Sequence, residues 1–436
     1  MKESNIHEPW LVDVPLDWVS SRIKNVALLS PGCSGKNPTQ HELCTVLPME
    51  LLSDNGTMDT SNIQSYEDVF SGLTIFEAGD VLFAKITPCM ENGKGAYVEA
   101  LSTRYAFGST EYHVLRPLHK VQGKFLYYYT KNSVFREYAA ENMTGAAGQK
   151  RVSSRFLKET RLFLPPLPEQ VRIAAYLDAS CAAIDAAVNA KKKQLEALIE
   201  MKKETLHRAF NHAEWPVERV KDLAIKIGSG VTPDGGSAGY LDEGIPLLRS
   251  QNVHFDGLRL DDVAFIAPET HREMRNSQLK PHDVLLNITG ASIGRCTYVP
   301  DDFGEGNVNQ HVCIIRPGHR LHYRFLAEYL SSPMGQGQIM STFTGASRQG
   351  LSHKDLGLIR IPAPSIETQC EVVASLNTAE EQRSKLFSNI ESQIATLIDY
   401  RKSLIHECVT GQRRISEADV AKVERTLEQA AGLPQQ

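Results

Sequence analysis

The sequence predicts an α+β protein: two tandem globular domains, separated and joined by two long antiparallel helices that pair as a coiled coil, with a pseudo-two-fold internal repeat. Three observations predict it. The chain has 436 residues, more than the roughly 250 that one hydrophobic core organises. It matches itself once, at a displacement near 200 residues. Each copy closes on a proline-rich step running into a long stretch whose apolar residues alternate at spacings of four and three.

The repeat is ordered from end to end. Trp18 with Arg22, Ile23, Lys24 and Ala27 answers to Trp215 with Arg219, Val220, Lys221 and Ala224. Asp80-Val81-Leu82 answers to Asp283-Val284-Leu285, each followed by an Ile-Thr pair, Ile86-Thr87 and Ile288-Thr289. Arg116-Pro117, Phe125-Leu126 and Thr144-Gly145-Ala146 recur as Arg316-Pro317, Phe325-Leu326 and Thr344-Gly345-Ala346, all displaced by 200. The hinge at residues 162–170 aligns without gaps on residues 361–369, and its displacement of 199 persists through His207 and His406. The predicted segments are therefore a domain over 1–164, a helix over 165–212, a second domain over 213–361, a second helix over 362–412, and a charged tail over 413–436 with helical character and no counterpart after the first helix.

Between Pro168 and Asn211 there is neither proline nor glycine, and Pro165, Pro166 and Pro168 stand before or within the first turn, where proline is tolerated. Ala174, Leu177, Cys181, Ile184, Val188, Leu195 and Leu198 form one seam; Val373, Leu376, Phe387, Ile390, Ile394, Leu397 and Leu404 form its equivalent. A pseudo-two-fold axis makes two such helices antiparallel. A helix of about 40 residues spans roughly 60 Å. The domains themselves carry short β-branched runs bounded by turn residues, with helical patches after each Arg-Pro step, hence α+β.

Composition narrows the function. Hydrophobic residues at 42% and charged residues at 23% exclude fibrous, disordered and membrane classes. The first ten residues, with Lys2, Glu3 and Glu8, do not have the profile of an export signal, so a cytoplasmic location without membrane contact is expected. The eight cysteines are scattered without a CxxC pair, which predicts buried free thiols and no metal.

No catalytic constellation is found. Residues 32–37 are too short for a phosphate-binding loop, and Asn37 stands where a hydroxyl is required. GxGxxG, HExxH, GxSxG and the Asn/Asp-Pro-Pro-aromatic segment of adenine methyltransferases are missing. What recurs instead is polar, glycine-rich loops at matching places, carrying side chains that hydrogen-bond phosphates and base edges. In the first copy the candidates are Ser34, Lys36, Lys85, Thr87, Asn92, Lys94, Gln149, Lys150 and Arg151. In the second they are Ser229, Thr232, Arg249, Gln251, Asn252, Asn287, Thr289, Arg295, Asn309, Gln310, Arg348 and Gln349.

The duplicated step Pro165-Pro166-Leu167-Pro168-Glu169-Gln170 and Pro364-Ser365-Ile366-Glu367-Thr368-Gln369, with the Ile-Thr-Gly-Ala-Ser-Ile-Gly-Arg run at 288–295 and Asn309-Gln310-His311, resembles the DNA specificity subunit of type I restriction-modification systems. The resemblance covers about residues 10–415. It implies two tandem target-recognition domains, each reading one half of a split, asymmetric target on double-stranded DNA, with the helices as spacer. It implies a non-catalytic chain without a cofactor of its own, in complex with two modification subunits and with restriction/translocase subunits, the methyl donor, ATP and magnesium belonging to those partners. Thr368 departs from the glutamate usual there, as does Lys85-Ile86-Thr87-Pro88-Cys89 from the run at 289–294.

Charge sets a limit on this reading. Residues 1–164 hold 17 basic against 18 acidic side chains, and residues 213–361 hold 15 against 17. Modest affinity of the isolated chain for DNA follows, because phosphate neutralisation supplies most nonspecific attraction. Lys191, Lys192, Lys193, Arg401 and Lys402 on the helices are either docking points for partners or a solvated face. A self-sufficient DNA-modifying enzyme and a protein-binding scaffold are the competing function classes.

Overall fold

The structure is a computed structural model that describes residues 14–35, 37–69, 72–146, 148–233, 236–342 and 350–430. Its contacts divide the chain into two compact units: residues 1–191 with 392–436, and residues 192–391. The helices, treated as separate segments in the sequence, are thus shared, since each unit takes half of each.

Both units repeat one design. In unit 1 a sheet is ordered Ala27–Leu29, Tyr112–Pro117, Val81–Ala84, Gly95–Tyr97; in unit 2 the same order is Ala224–Ser229, Val312–Pro317, Val284–Asn287, Cys296–Tyr298. A smaller sheet covers one face, built in unit 1 from Ile63–Ser65, Leu43–Leu47, Tyr105–Gly108 and Thr74–Phe76, and in unit 2 from Ala264–Ile266, Ile245–Leu248 and Asn307–Val308. The helices Gly123–Lys131 and Tyr323–Ser331 cover the other. Period-two alternation explains the layering. Leu82 and Leu285 point into the inter-sheet core, with Phe76 and Val114 in one unit and Val308 and Ile314 in the other, while Val81 and Phe83, or Val284 and Leu286, meet the aromatic and aliphatic side chains of the helix.

The strand registers settle the equivalence of the two copies. Val81 pairs with Leu115 and Ala84 with Tyr112; Val284 pairs with Ile315 and Asn287 with Val312. Lys85 N then donates to Glu111 O as Ile288 N donates to His311 O. Lys85 therefore corresponds to Ile288, and the two Ile-Thr pairs, equivalent by eye, are one residue out of step. A one-residue slip reverses which side of a strand a side chain occupies.

The Asp-Val-Leu and Arg-Pro anchors are two halves of one ion pair. Asp80, 1% exposed, accepts Arg116 Nε at 2.8 Å and Nη2 at 2.7 Å. Asp283, fully buried, accepts Arg316 Nε at 2.6 Å and Nη2 at 2.7 Å. Each carboxylate also caps the turn that precedes its strand, through Glu77 N or Lys280 N at 2.8 Å.

The hinge glutamine has an equally physical reason. Gln170 Oε1 accepts from Gln122 N at 2.8 Å while its Nε2 donates to Pro165 O at 2.9 Å; Gln369 repeats this with His322 N at 2.8 Å and Pro364 O at 2.9 Å. One buried amide thus ties the start of a long helix to the first turn of its domain's helix. Glu169, buried, pairs with Arg414 at 2.7 Å, which also holds Asp17; at Thr368 the side chain meets only Ser365. The long helices run Leu167–Phe210 and Ile366–Thr410. In unit 1 their halves run antiparallel, with Arg172 bonded to Ile415 O and Asp185 to Arg401, and Ile184, Val188, Leu404 and Cys408 share the core. In unit 2 Lys202 meets Glu380, and Leu206, Phe210, Val373 and Leu376 are buried together. The tail forms a helix, Glu417–Ala430, capped reciprocally by Ser416 and Asp419, with Val420 and Val423 on unit 1's core. Of the cysteines, all free, four are buried and Cys370 is exposed.

Removing one member of a buried ion pair leaves a charge without its partner, which costs about 3–5 kcal/mol. Asp283→Ala is expected to lower the urea midpoint of unit 2 alone and Asp80→Ala that of unit 1 alone, resolved as separate transitions by tryptophan fluorescence of Trp215 and Trp18.

Candidate nucleic-acid interface

In unit 2 four sequence-predicted loops converge. Asn287 Nδ2 donates to Ser250 O at 2.7 Å and to Ser292 Oγ at 3.2 Å, which joins the 249–252 and 290–295 loops. Asn309 N donates to Leu248 O at 3.0 Å, and Gly230 N to Asn309 O at 3.2 Å. Over this frame lies a side-chain relay from Thr232 through Gln310 and His311 to Thr289. Thr232 Oγ1 donates to Gln310 Oε1. Gln310 Nε2 lies 3.1 Å from His311 Nε2, and His311 Nδ1 lies 2.6 Å from Thr289 Oγ1, the direction of both bonds following the imidazole tautomer. A hydroxyl and an amide each offer more hydrogen-bonding positions than the relay uses at Thr289 and Gln310. Arg295, half-buried, makes no ion pair with a described residue.

In unit 1 the corresponding strand ends carry different chemistry. At the position of His311 stands Glu111, which accepts Arg151 Nε at 2.9 Å and Nη2 at 2.8 Å. That bidentate bond, more than the charge alone, holds the Glu111 carboxyl below the usual range. Arg151 is further fixed by Gln149 O at 3.1 Å, while Thr87 Oγ1 donates to Lys150 O at 3.0 Å. Lys85, Thr87, Gln149, Lys150 and Arg151 are thereby brought together, with Gln149 and Lys150 exposed. Beneath them His113 meets Val152 O at 2.9 Å.

Several sequence-predicted residues serve the protein instead. Ser34 sits at the opposite end of the strands, where its N and Oγ donate to Glu77 at 2.7 and 2.6 Å and Arg116 reaches its hydroxyl. The chain diverges there because Ala27–Leu29 stops short at a positive-φ Ser30, whereas Ala224–Ser229 continues and delivers Ser229 and Thr232 to the convergent end. Lys94 Nζ donates to Met49 O at 2.9 Å. Asn252, 1% exposed, accepts from Arg249 N and donates to Arg259 O and Asp262 O. Asn287 is wholly buried and Asn309 nearly so. Burial makes these frame residues, a correction to the base-contact reading, although Asn287 Oδ1 is buried without a partner among the described residues. Arg249 and Gln251 both engage Asp262, and Asn92 is exposed on its turn. Lys36, Arg348 and Gln349, like the 344–346 repeat, lie outside the described residues. Sequence reasoning missed His311, Glu111 and Asp262 as organisers. Only His311 carried a signal, its place in the Asn-Gln-His run.

Two copies of the type I restriction modification DNA specificity domain match the chain, at residues 15–197 and 214–396. The chain belongs to that family. It is 35% identical over 165 residues to the type I restriction enzyme EcoAI specificity subunit of Escherichia coli, a match over 37% of this chain and 27% of that protein, so the chain spans about a quarter of the length of this relative. The fold is similar to a chain from a study of complex assembly and conformational transition of the type I R-M system, with a TM-score of 0.74 and 20% identity over 91% of this chain and 98% of that one. It is also similar to the HsdS subunit of Thermoanaerobacter tengcongensis, with a TM-score of 0.55 and 19% identity over 92% and 98%. In this specificity-domain chain no described helix is long and apolar enough to cross a membrane.

Burial pushes the His113 imidazole below its ordinary value of 6.5, with the Val152 carbonyl opposing. The unfolded chain therefore takes up the proton first, and stability present above about pH 6.5 is lost as pH falls through the lower folded value. His113→Cys, which copies Cys313 at the equivalent register, is expected to flatten the pH dependence of unit 1's urea midpoint between about pH 7.5 and about pH 5.5. Equal pH dependence in both proteins would contradict the assignment.

Proposed function

We propose that this chain is the sequence-specific DNA-binding specificity subunit of a type I restriction-modification complex. Each domain reads one half of a bipartite, asymmetric double-stranded target, and the long helices set the spacing and dock two modification subunits. Restriction/translocase subunits join for cleavage. The chain itself is non-catalytic; methyl donor, ATP and magnesium act on those partners.

One observation carries the reading. The same strand ends, in the same register, present a Glu111–Arg151 pair with Lys85 and Lys150 in one unit, and the Thr232–Gln310–His311–Thr289 relay with Arg295 in the other. A common frame with unlike donors and acceptors is what two unlike half-targets require. Helical spacers fit half-sites about one turn of duplex apart, roughly 34–36 Å between centres. The acidic balance of the chain leaves much of the phosphate attraction to the enclosing partners.

The test is methylation mapping by the complex assembled with its modification subunits. A bipartite asymmetric motif is expected. Arg295→Ala should relax or weaken the half read by unit 2 by about 1–3 kcal/mol in binding, with assembly intact, and Lys150→Ala should weaken the half read by unit 1. Unchanged motif and affinity in both would count against the loops. One helical turn added at Val188 together with its repeat-mate Phe387 should change the gap between half-sites, and an unchanged gap would refute the spacer role.

A further inference from the structure

The turn after the second strand of the main sheet is clamped in both units by the same position of the following helix. In unit 2 Gln336 does this with one amide, Nε2 donating to Gly294 O at 2.9 Å and to Leu330 O at 2.6 Å. In unit 1 Arg136 stands in its place, with Nε donating to Thr130 O at 2.8 Å and Nη1 to Met90 O. The clamped glycines, Gly93 and Gly294, share φ values of 88° and 86°, and a Cβ on either would lie within 3 Å of the clamping side chain. Clamping therefore needs an amide and no charge.

Unit 1 nevertheless places two cations there. Lys131, where unit 2 has Ser331, donates to Gly93 O at 2.7 Å and to Asp54 O. Both partners are backbone carbonyls, which accept the hydrogen bonds but do not neutralise the charges, and the Asp54 carboxylate acts on Lys131 less strongly than the opposing Arg136 and Arg401. Arg401 adds a third positive charge from the second long helix, and its own carboxylate partner is Asp185 at 2.6 Å. Two buried donors have no partner among the described residues: Nη2 of Arg136, which is 6% exposed, and Nδ2 of Asn132, whose Oδ1 meets His406 Nδ1 at 3.1 Å. Burial, with Arg136 and Arg401 nearby, pushes the Lys131 ammonium down to about 7. The cluster lies between two turns whose tips, Asp54 with Asn55 and Glu91 with Asn92, are exposed. Desolvated like charges cost free energy that a bound counter-anion offsets.

We propose that Lys131 and Arg136, which converge on Gly93, form a phosphate-binding cradle in unit 1, absent from unit 2, that takes the oxyanion of a DNA backbone phosphate or of a free phosphate group. The DNA source rests on the specificity-subunit reading; the oxyanion site does not.

The experiment uses the full chain and two readouts. Millimolar sulfate, compared with chloride at equal ionic strength, is expected to raise the melting temperature saturably in the unmodified protein and in Lys131→Arg. The response should vanish in Lys131→Ser with Arg136→Gln, which installs the residues unit 2 carries, and in Lys131→Ser alone should the double variant unfold. With duplex DNA, a backbone phosphate at this site predicts that the double variant lowers the slope of log affinity on log salt by about 1. A lost sulfate response with an unchanged slope assigns the site to free phosphate. Identical sulfate responses and identical slopes in all variants overturn the cradle. A sulfate response in a chain that binds no DNA would overturn the DNA reading and keep the cradle.

Discussion

A carboxylate with no exposure must be answered by a cation of matching geometry, and Asp80 and Asp283 impose that demand on Arg116 and Arg316. The pair ties the start of one central strand to the end of its neighbour and, through the capped turn, fixes where the strand begins. Once that end is set, the antiparallel register decides which residues emerge at the other end. The candidate loops hang from that far end, so their placement descends from an ion pair at the opposite end of the strands. Both units keep the pair while the far ends differ, which is how one frame carries Glu111 in one copy and His311 in the other.

The frame was largely legible in the sequence because burial and backbone hydrogen bonding leave periodic marks. Alternating apolar residues announced the strands, the spacing of four and three announced the long helices, and the recurring Asp-Val-Leu, Arg-Pro and proline-glutamine anchors announced the duplication. Those anchors proved to be interaction partners: Asp with Arg, and Gln170 or Gln369 with the domain behind it. The halving of each helix between two units was less visible, since it depends on which halves pack together and not on any local pattern.

The interface was legible only as a set of loops. Asn252, Asn287 and Asn309 have the composition of reading residues, but an asparagine that bonds backbone groups in the interior looks the same in sequence as one that faces a groove. Ser34 was misplaced by two left-handed residues, Ser30 and Gly32, in the turn that carries its loop toward Arg116. Glu111 left no signal because its meaning lies in a partner forty positions away. The out-of-step Ile-Thr pairs have the same origin: an inserted residue in a turn shifts sequence similarity against strand register, and only the ladder decides between them.

The division of the helices has an outcome for synthesis. Unit 2 is one uninterrupted stretch, residues 192–391, and every contact it needs is available once that stretch has left the ribosome. Unit 1 is assembled from two separate stretches, residues 1–191 and 392–436, so its first part waits with one side of its core uncovered until residues 392–430 arrive to supply Leu404, Cys408 and Val409. Order of emergence thus runs opposite to order of completion: the unit whose synthesis begins first is the one finished last.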